Sequence, residues 1–325
     1  MSRKSAERKH EHTADEHQRT LVTLIKRFSY GHHTHTVFAD FVELCALSIS
    51  NGVDLQQYES REKRYLEIVG KYKPEEVALF PRMFAALTLS FELRVEYMRK
   101  AGGFSIGGAG LTDVLGETYM MLELGNARAG QFFTPYHVSR LMASMTIGDG
   151  GSAVRDHGFL RLQEPACGAG GMVIAVADSL HEAGHNYQQA MHATCIDIDA
   201  CCVHMAYVQL SLLHIPAVVV HGNALTLDVW GMWYTPAHIV GGWKWKLRRR
   251  EADVEAAELV RVDEAAADAL VDPLHEPLAP CTAECAEADV AVLEDVVPAE
   301  CVARQPAEDF AQAKLFAKVD QLALF

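Results

Sequence analysis

The sequence is short of the features that mark membrane, secreted and metal-binding proteins. Its 325 residues contain no run approaching the roughly 20 apolar residues of a membrane-spanning helix. The charged N-terminus, with Arg3, Lys4 and Arg8, is not followed by the apolar stretch of a signal peptide. The eight cysteines lack the paired spacing of metal ligands. We therefore expect no membrane association, no metal site, and a cytoplasmic protein with free thiols.

Acidic charge is concentrated towards the C-terminus. Residues 251–325 hold 18 Asp and Glu against four Lys and Arg, which accounts for the whole net charge of −14. Residues 1–250 are therefore neutral overall and can still present a basic face to DNA, whose non-specific binding depends on Lys and Arg. The candidate face is a run of cations interleaved with Trp243 and Trp245, and its members are Lys244, Lys246, Arg248, Arg249 and Arg250. The alternative for this run is a solvated strand edge or the start of a linker.

Composition and apolar spacing divide the chain into four parts. Residues 1–20 are charged and rich in His, which predicts a mobile N-terminus. Residues 21–110 carry apolar side chains at helical spacing and predict a helical domain that ends in a glycine-rich joint. Residues 111–250 predict an α/β domain. Residues 251–325 contain few large apolar side chains, so we expect an acidic and mostly disordered tail.

Strand and helix patterns alternate in the α/β part. Apolar runs at 159–163, 192–198 and 217–220 predict three strands, and the segments 172–183 and 200–213 between them predict two helices. This alternation favours a parallel sheet covered by helices, in a Rossmann-like arrangement.

A glycine-rich loop follows the first predicted strand. Gly168, Gly170 and Gly171 allow the backbone to approach a ligand, and the following helix offers free N–H groups at its N-terminus. Asp197, at the end of the second strand, is placed to accept hydrogen bonds from ribose hydroxyls. For Asp199 we favour a simple helix cap instead.

Together these segments resemble a known enzyme family. Five segments are similar to the modification subunit of type I restriction systems: Asp113 to Tyr119, Gly130 to Pro135, Glu164 to Gly171, Ile196 to Asp199 and Gly222 to Leu225. The resemblance covers residues 110–228 well and the helical region loosely. It implies an adenine-N6 DNA methyltransferase that uses S-adenosylmethionine and acts on DNA.

The resemblance also implies which residues hold the cofactor. The wall around the methionine end would be formed by Gln131, Phe133, Thr134 and Pro135. The loop around the cofactor would contain Glu164, Ala166, Gly168, Gly170 and Gly171. Asp197 would bind the ribose. Asn223 stands where the family usually has an Asp that contacts the adenine amino group, and its amide oxygen can still accept a hydrogen bond.

The catalytic half of the family pattern is missing. No two prolines are adjacent, so the Asn-Pro-Pro-Tyr/Phe tetrapeptide that holds the flipped adenine does not occur. The third predicted strand is followed instead by a segment whose Tyr234 and His238 can either stack on a base or pack under the sheet edge. A complete methyltransferase sheet needs about four more strands. We therefore expect a methyltransferase domain truncated after the third or fourth strand, with the catalytic residues unknown.

The last five residues resemble a second known element, the peptide with which bacterial polymerases and repair proteins bind the replicative sliding clamp. The motif residues are Gln321, Leu322, Leu324 and Phe325. The alternative is a terminal helix that docks on the body of the protein.

Three functions remain open from sequence. The first is a catalytically degenerate S-adenosylmethionine-binding protein that acts in DNA modification or restriction. The second is an active adenine-N6 methyltransferase with a non-standard catalytic motif. The third is a non-catalytic subunit or anti-restriction protein that is completed by a restriction-modification partner or by self-association.

Overall fold

The N-terminal half of the protein is helical, as its apolar spacing predicts. A computed structural model describes residues 14–28, 31–100, 110–125, 132–148 and 151–253. Its first helices are α1 (Glu16–Lys26), α2 (Thr34–Asn51), α3 (Tyr58–Val69), α4 (Pro74–Val77) and α5 (Leu79–Lys100). Pro74 occupies the first turn of α4 together with Glu75 and Glu76, where carboxylates face the positive end of the helix dipole.

The second half alternates helices with four strands. Three helices precede the sheet: α6 (Val114–Met121), α7 (Tyr136–Ile147) and α8 (Gly151–His157). The strands are β1 (Leu160–Glu164), β2 (Met191–Asp197), β3 (Ala217–Asn223) and β4 (Asp228–Tyr234). Between and after them lie α9 (Gly171–Glu182), α10 (Tyr187–Ala190), α11 (Ala200–Leu212) and α12 (Pro236–Val240). Residues 243–250 are also helical.

The sheet is mixed, with the strand order β1-β2-β3-β4. The first three strands are parallel, which confirms the predicted arrangement for them. The fourth strand was not predicted and runs antiparallel to β3, with a register shift between His221 and Gly222. The fold is therefore a helical N-terminal region followed by a mixed four-stranded sheet with helices. Truncation of a larger sheet stays a prediction.

Strand direction gives the sheet two chemically different edges. Because β1, β2 and β3 are parallel, Glu164, Asp197 and Asn223 all lie at their carboxyl ends, on one edge. The antiparallel β4 ends beside the start of β3, where Tyr234 pairs with Val218. The residues that directly follow β4 therefore lie at the amino edge, roughly 16 Å from Asn223 along the strand.

The helical region and the sheet share one hydrophobic core. Phe38 and Phe41 of α2 and Tyr207 of α11 are fully buried within it. The described residues up to Arg250 belong to one compact unit. The predicted division of this region near residue 110 into a helical domain and a methyltransferase domain stays a prediction.

A buried arginine connects α3 to β4. The Nη1 atom of Arg61 donates to Asp54 Oδ2 at 2.8 Å and also to Ser50 Oγ, while Nη2 donates to the Met232 carbonyl at 2.7 Å. Its guanidinium lies 4.1 Å from the centroid of the Trp233 ring. A planar, always charged group is suited to this position because it satisfies three acceptors and one ring at once.

Two helices satisfy a membrane-span criterion only in combination. In the described part of the chain, no single helix is long and apolar enough to cross a bilayer. Thr34–Asn51 and Leu55–Val69 reach that length and composition together, across a bend of 118°.

We predict that Arg61→Met destabilises the protein by about 3–5 kcal/mol, because a buried carboxylate is left without its charge partner. The matched control is Arg64→Met on the same helix, whose side chain is 44% exposed and pairs with Glu43. That control should cost no more than about 1 kcal/mol. Urea unfolding followed by circular dichroism measures both, and equal losses would contradict the role of Arg61.

Candidate functional site

The glycine loop joins β1 to α9 and has a backbone that only glycine adopts readily. Gly168 and Gly170 have φ angles of +53° and +90°, in the left-handed region. The loop is held by a hydrogen bond from Gly170 N to the Cys167 carbonyl at 2.8 Å. Cys167 N in turn donates to the Ile196 carbonyl of β2 at 2.9 Å. Gly170 is the N-cap of α9 and has no side chain to accept from its first turn, so those N–H groups face the loop unblocked.

Asp197 fixes the position of this loop. Its Oδ2 atom accepts from Gly168 N at 2.8 Å, and its Oδ1 atom accepts from Asp199 N at 2.9 Å. Burial raises the pKa of the Asp197 carboxyl, and these backbone donors oppose the shift. The backbone N–H of Ile198 is a third donor, so about one of the roughly four lone-pair sites of the carboxylate is left for a further donor. The predicted cap is confirmed, since Asp199 accepts from Cys201 N at 2.8 Å at the start of α11.

The segment ahead of α7 meets the glycine loop through Phe133. A Cβ atom on Gly168 would lie 3.1 Å from the Phe133 ring, so the absence of a side chain permits this contact. Phe133 also stacks on the buried Tyr119, with ring centroids 5.4 Å apart. Thr134 and Pro135 are exposed next to it. The predicted Gln131 lies outside the described residues.

Glu164 supplies a second carboxylate at the loop. Its Oε1 atom accepts from Ala166 N at 3.4 Å. Burial raises the pKa of Glu164, and the nearby charge of Asp197 adds to the rise. Within the described ranges, no group of three or more His, Cys, Asp or Glu side chains is placed to hold a metal ion. Two partly desolvated carboxylates beside a helix N-terminus are groups that can accept hydrogen bonds from a polar organic ligand.

The structure gives Asn223 a different use of its oxygen from the predicted one. Its Oδ1 atom accepts from Leu225 N at 2.9 Å and from Thr226 N at 3.4 Å, and so closes the turn between β3 and β4. Both lone pairs of the amide oxygen are then occupied. A contact between this oxygen and an adenine amino group would require the turn to open. The adenine contact itself stays a prediction.

A buried amide that sequence reasoning missed holds the loop from behind. Gln209 of α11 is completely buried, and its Nε2 atom donates to the Ala169 carbonyl at 2.8 Å and to Asp113 Oδ1 at 2.7 Å. Its Oε1 atom accepts from Leu115 N at 3.0 Å. Gln209 lies within a mostly apolar helix, which was the available signal. A lone Gln in such a helix does not reveal its partners.

Asp113 closes this network and caps α6. Its Oδ1 atom also accepts from Gly116 N at 2.8 Å. Complete burial raises the pKa of the Asp113 carboxyl to about 6, against the opposing hydrogen bond from Gln209. The approach of Asp113 Oδ2 to 3.0 Å from a Cβ built on Gly171 explains why glycine is needed at the start of α9.

A buried carboxylate that sequence reasoning also missed aligns α7 with α9. Asp178 is fully buried and accepts from Leu111 N at 3.1 Å, while Arg140 Nε lies 2.9 Å from its Oδ2 atom. Arg140 belongs to α7, which begins directly after Pro135. The pair thus fixes the segment that carries Phe133 against the helix that follows the glycine loop.

The residues proposed from sequence to contact DNA lie elsewhere. Tyr234 and His238 are at the amino edge, so they cannot stack on a base presented at the glycine loop. His238 is buried, and its Nδ1 atom lies 2.8 Å from His192 Nε2. Burial lowers the pKa of His238 to about 4. Packing under the sheet edge, the alternative considered for both residues, describes their position.

The basic run forms a helix at this same edge, and not a strand edge. Trp243 is buried against Phe159, with ring centroids 5.0 Å apart. Phe159 directly precedes β1, which places the helix beside the beginning of that strand. Lys244, Lys246 and Arg248 therefore lie away from the glycine loop. The predicted clamp-binding residues, Gln321, Leu322, Leu324 and Phe325, lie outside the described residues.

Comparison with known protein families found a match in the second half of the chain. Residues 111–257 match the family model described as N-6 DNA Methylase. The matched range contains the glycine loop, all four strands and the helix that follows them, and it supports the resemblance to adenine-N6 methyltransferases. A search of curated proteins and a search of solved structures found no match.

We predict that Asp113→Asn becomes increasingly stable relative to the unsubstituted protein as pH rises. The raised folded-state pKa means that ionisation of Asp113 costs stability above the pKa of the unfolded chain. The substitution should therefore gain about 1.4 kcal/mol per pH unit between about pH 4 and 6. Urea unfolding at several pH values measures this difference.

Asp156→Asn, at an exposed position of α8, is the control for the loss of one carboxylate. If the difference between Asp113→Asn and the unsubstituted protein stays constant over this range, Asp113 does not carry the buried charge that its surroundings indicate.

Proposed function

We propose that the protein binds S-adenosylmethionine at the glycine loop and is a catalytically degenerate member of the adenine-N6 DNA methyltransferase family. The observation that carries this proposal is the contact of Phe133 with Gly168, because it joins two segments far apart in sequence at one edge of the sheet. The match of residues 111–257 to N-6 DNA methylases supports the same conclusion.

The residues at this edge fit the proposed cofactor. A sulfonium nucleoside with an amino-acid tail needs carboxylate acceptors for its ribose and ammonium groups and apolar surface for its base. Asp197 and Glu164 supply acceptors with unused lone pairs. Ile198 and Leu225, which follow the ends of β2 and β3, are 60% and 95% exposed and supply apolar surface.

Each group has a defined task in this proposal. Asp197 would bind the ribose hydroxyls while it holds Gly168 in place, and Glu164 would bind the ammonium group of the amino-acid tail. The aromatic ring of Phe133 would form the wall of the site with Thr134 and Pro135, and Gln131 is proposed as a further member. When bound, the cofactor supplies an electrophilic methyl group.

We propose that the protein is catalytically degenerate because the catalytic half of the family pattern is missing from its sequence. Methyl transfer to adenine N6 needs the flipped base held by a polar side chain, a carbonyl and an aromatic ring. The Tyr234–Thr235–Pro236 segment, which follows β3 and β4 in sequence, lies at the opposite edge of the sheet. Thr235 is occupied there, because its Oγ1 atom accepts from Ala217 N at 2.9 Å and donates to the Ile215 carbonyl at 3.0 Å.

Partners follow from the same proposal. DNA is the substrate class implied by the methylase match, and a restriction-modification system is the proposed setting, with self-association or a partner subunit completing the sheet. Sliding-clamp binding through Gln321, Leu322, Leu324 and Phe325 is proposed separately. Loss of clamp association after deletion of residues 321–325 is its test.

We predict that isothermal titration calorimetry detects S-adenosylmethionine binding and that Asp197→Ala weakens it about tenfold or more, since it removes charge-assisted hydrogen bonds. Gly168→Ala should weaken binding as well, because the new Cβ meets Phe133. Asp156→Ala is the matched control. No heat change at millimolar ligand with the folded, unsubstituted protein would remove the proposal.

A methyl-transfer assay separates the degenerate protein from its alternative. With radiolabelled S-adenosylmethionine and unmodified DNA, we expect no incorporation of label, while an active adenine methyltransferase labels the same DNA. Incorporation that is lost in Glu164→Ala and Asp197→Ala would favour an active enzyme with a non-standard motif.

A further inference from the structure

The helix at the amino edge is anchored through one face only. Trp243 is 1% exposed and packs between Phe159 and His192. Seven residues later, Arg250 donates through Nη1 to the Phe159 carbonyl at 2.7 Å, and its guanidinium lies 5.0 Å from the Phe159 ring. Residues seven apart lie on the same face of a helix, so these two anchors fix its rotation.

The opposite face presents an exposed tryptophan with two arginines. At 100° per residue, Trp245, Arg248 and Arg249 point away from the anchored face. Trp245 is 71% exposed. The guanidinium of Arg248 lies 5.8 Å from the centroid of its ring, and Arg249 is also exposed. Val240, which is 77% exposed, precedes this helix.

Among the residues that the structure describes, no Asp or Glu oxygen lies within 4.0 Å of the side-chain nitrogens of Lys246, Arg248 or Arg249. Lys246 instead lies over the ring of Trp243, with Nζ 4.3 Å from its centroid. An exposed aromatic ring beside unpaired cations favours an anionic partner with flat, stackable groups.

We propose that Trp245, Arg248 and Arg249, with Lys246 at their flank, form a docking surface for single-stranded DNA that is separate from the cofactor site. Trp245 stacks on an unpaired base, and the cations contact the phosphates on either side of it. The surface lies beside the start of β1, and the glycine loop begins after its end, roughly 13 Å further along the strand.

Two physical arguments favour single-stranded DNA over other anionic partners. A duplex keeps its bases stacked inside the helix, where a protruding tryptophan finds no free base face, whereas a single strand exposes them. An anionic membrane would need a broader apolar face than Trp245 and Val240 provide. The choice of DNA as the nucleic acid rests on the proposed function. The docking surface itself needs neither a bound cofactor nor methyl transfer.

The test is fluorescence anisotropy of the full-length protein with a labelled oligothymidylate of about 20 nucleotides, which spans one or more such sites. We expect tighter binding to this strand than to a duplex of the same length. Trp245→Ala should weaken single-strand binding about tenfold. Arg248→Ala and Arg249→Ala should each lower the slope of log affinity against log salt by about 0.7.

A matched pair of double variants controls for general loss of charge and aromatic surface. Trp245→Ala/Arg248→Ala is compared with Tyr97→Ala/Arg99→Ala on α5, where the tyrosine is 49% exposed and the arginine is also exposed. Only the first pair should weaken binding. Equal weakening by both pairs, or unchanged affinity in Trp245→Ala, would overturn the proposal. So would binding to anionic phospholipid vesicles that depends on Trp245 while DNA binding does not.

Calorimetry with S-adenosylmethionine separates this inference from the proposed function. The Trp245→Ala/Arg248→Ala protein should bind the cofactor as the unsubstituted protein does, because the two sites lie at opposite edges of the sheet. If the cofactor does not bind but oligothymidylate binding still depends on Trp245, the docking surface stands and the proposed cofactor site falls.

Discussion

The candidate site depends on hydrogen bonds to one uncharged side chain that never reaches solvent. Gln209 donates to the glycine loop and to Asp113 and accepts from Leu115, so it holds three chain segments with a single amide. Burying these polar groups without partners would cost about 1–3 kcal/mol each, which makes the arrangement mutually required. Asp197 on the ligand side and Gln209 behind then hold the loop in its left-handed conformation.

Sequence reasoning located the helices and the three parallel strands because their apolar spacing is periodic. The glycine loop and Asp197 were predicted from residue type and position, and Phe133 from the family resemblance, and their role in binding a ligand stays a prediction. Sequence reasoning did not find β4, because the alternation of Asp228 to Tyr234 is masked by tryptophans on both faces. The contacts of Gln209 with Ala169, of Asp178 with Leu111 and of Arg61 with Met232 were beyond its reach, since these partners are 40 or more residues away and only the fold brings them together.

The two edges of the sheet differ in chemistry. The carboxyl edge carries carboxylates, free helix N–H groups and exposed aliphatic side chains, which suit a small polar ligand. The amino edge carries Trp245 and arginines, which suit an extended polyanion. The neutral overall charge of residues 1–250 conceals this separation, because the sum over the chain averages the two edges.

Because β4 is antiparallel to β3, the number of strands that the chain has formed decides at which edge of the sheet the next segment lies. Each traverse of the sheet moves the chain from one edge to the other, and β3 and β4 together make two traverses. A segment that directly follows them therefore returns to the edge where β3 began. Neither a longer turn between β3 and β4 nor a substitution in that turn brings the segment after Tyr234 to the glycine loop. Such a segment would reach the edge of the glycine loop only after an odd number of further strands, supplied by this chain or by another.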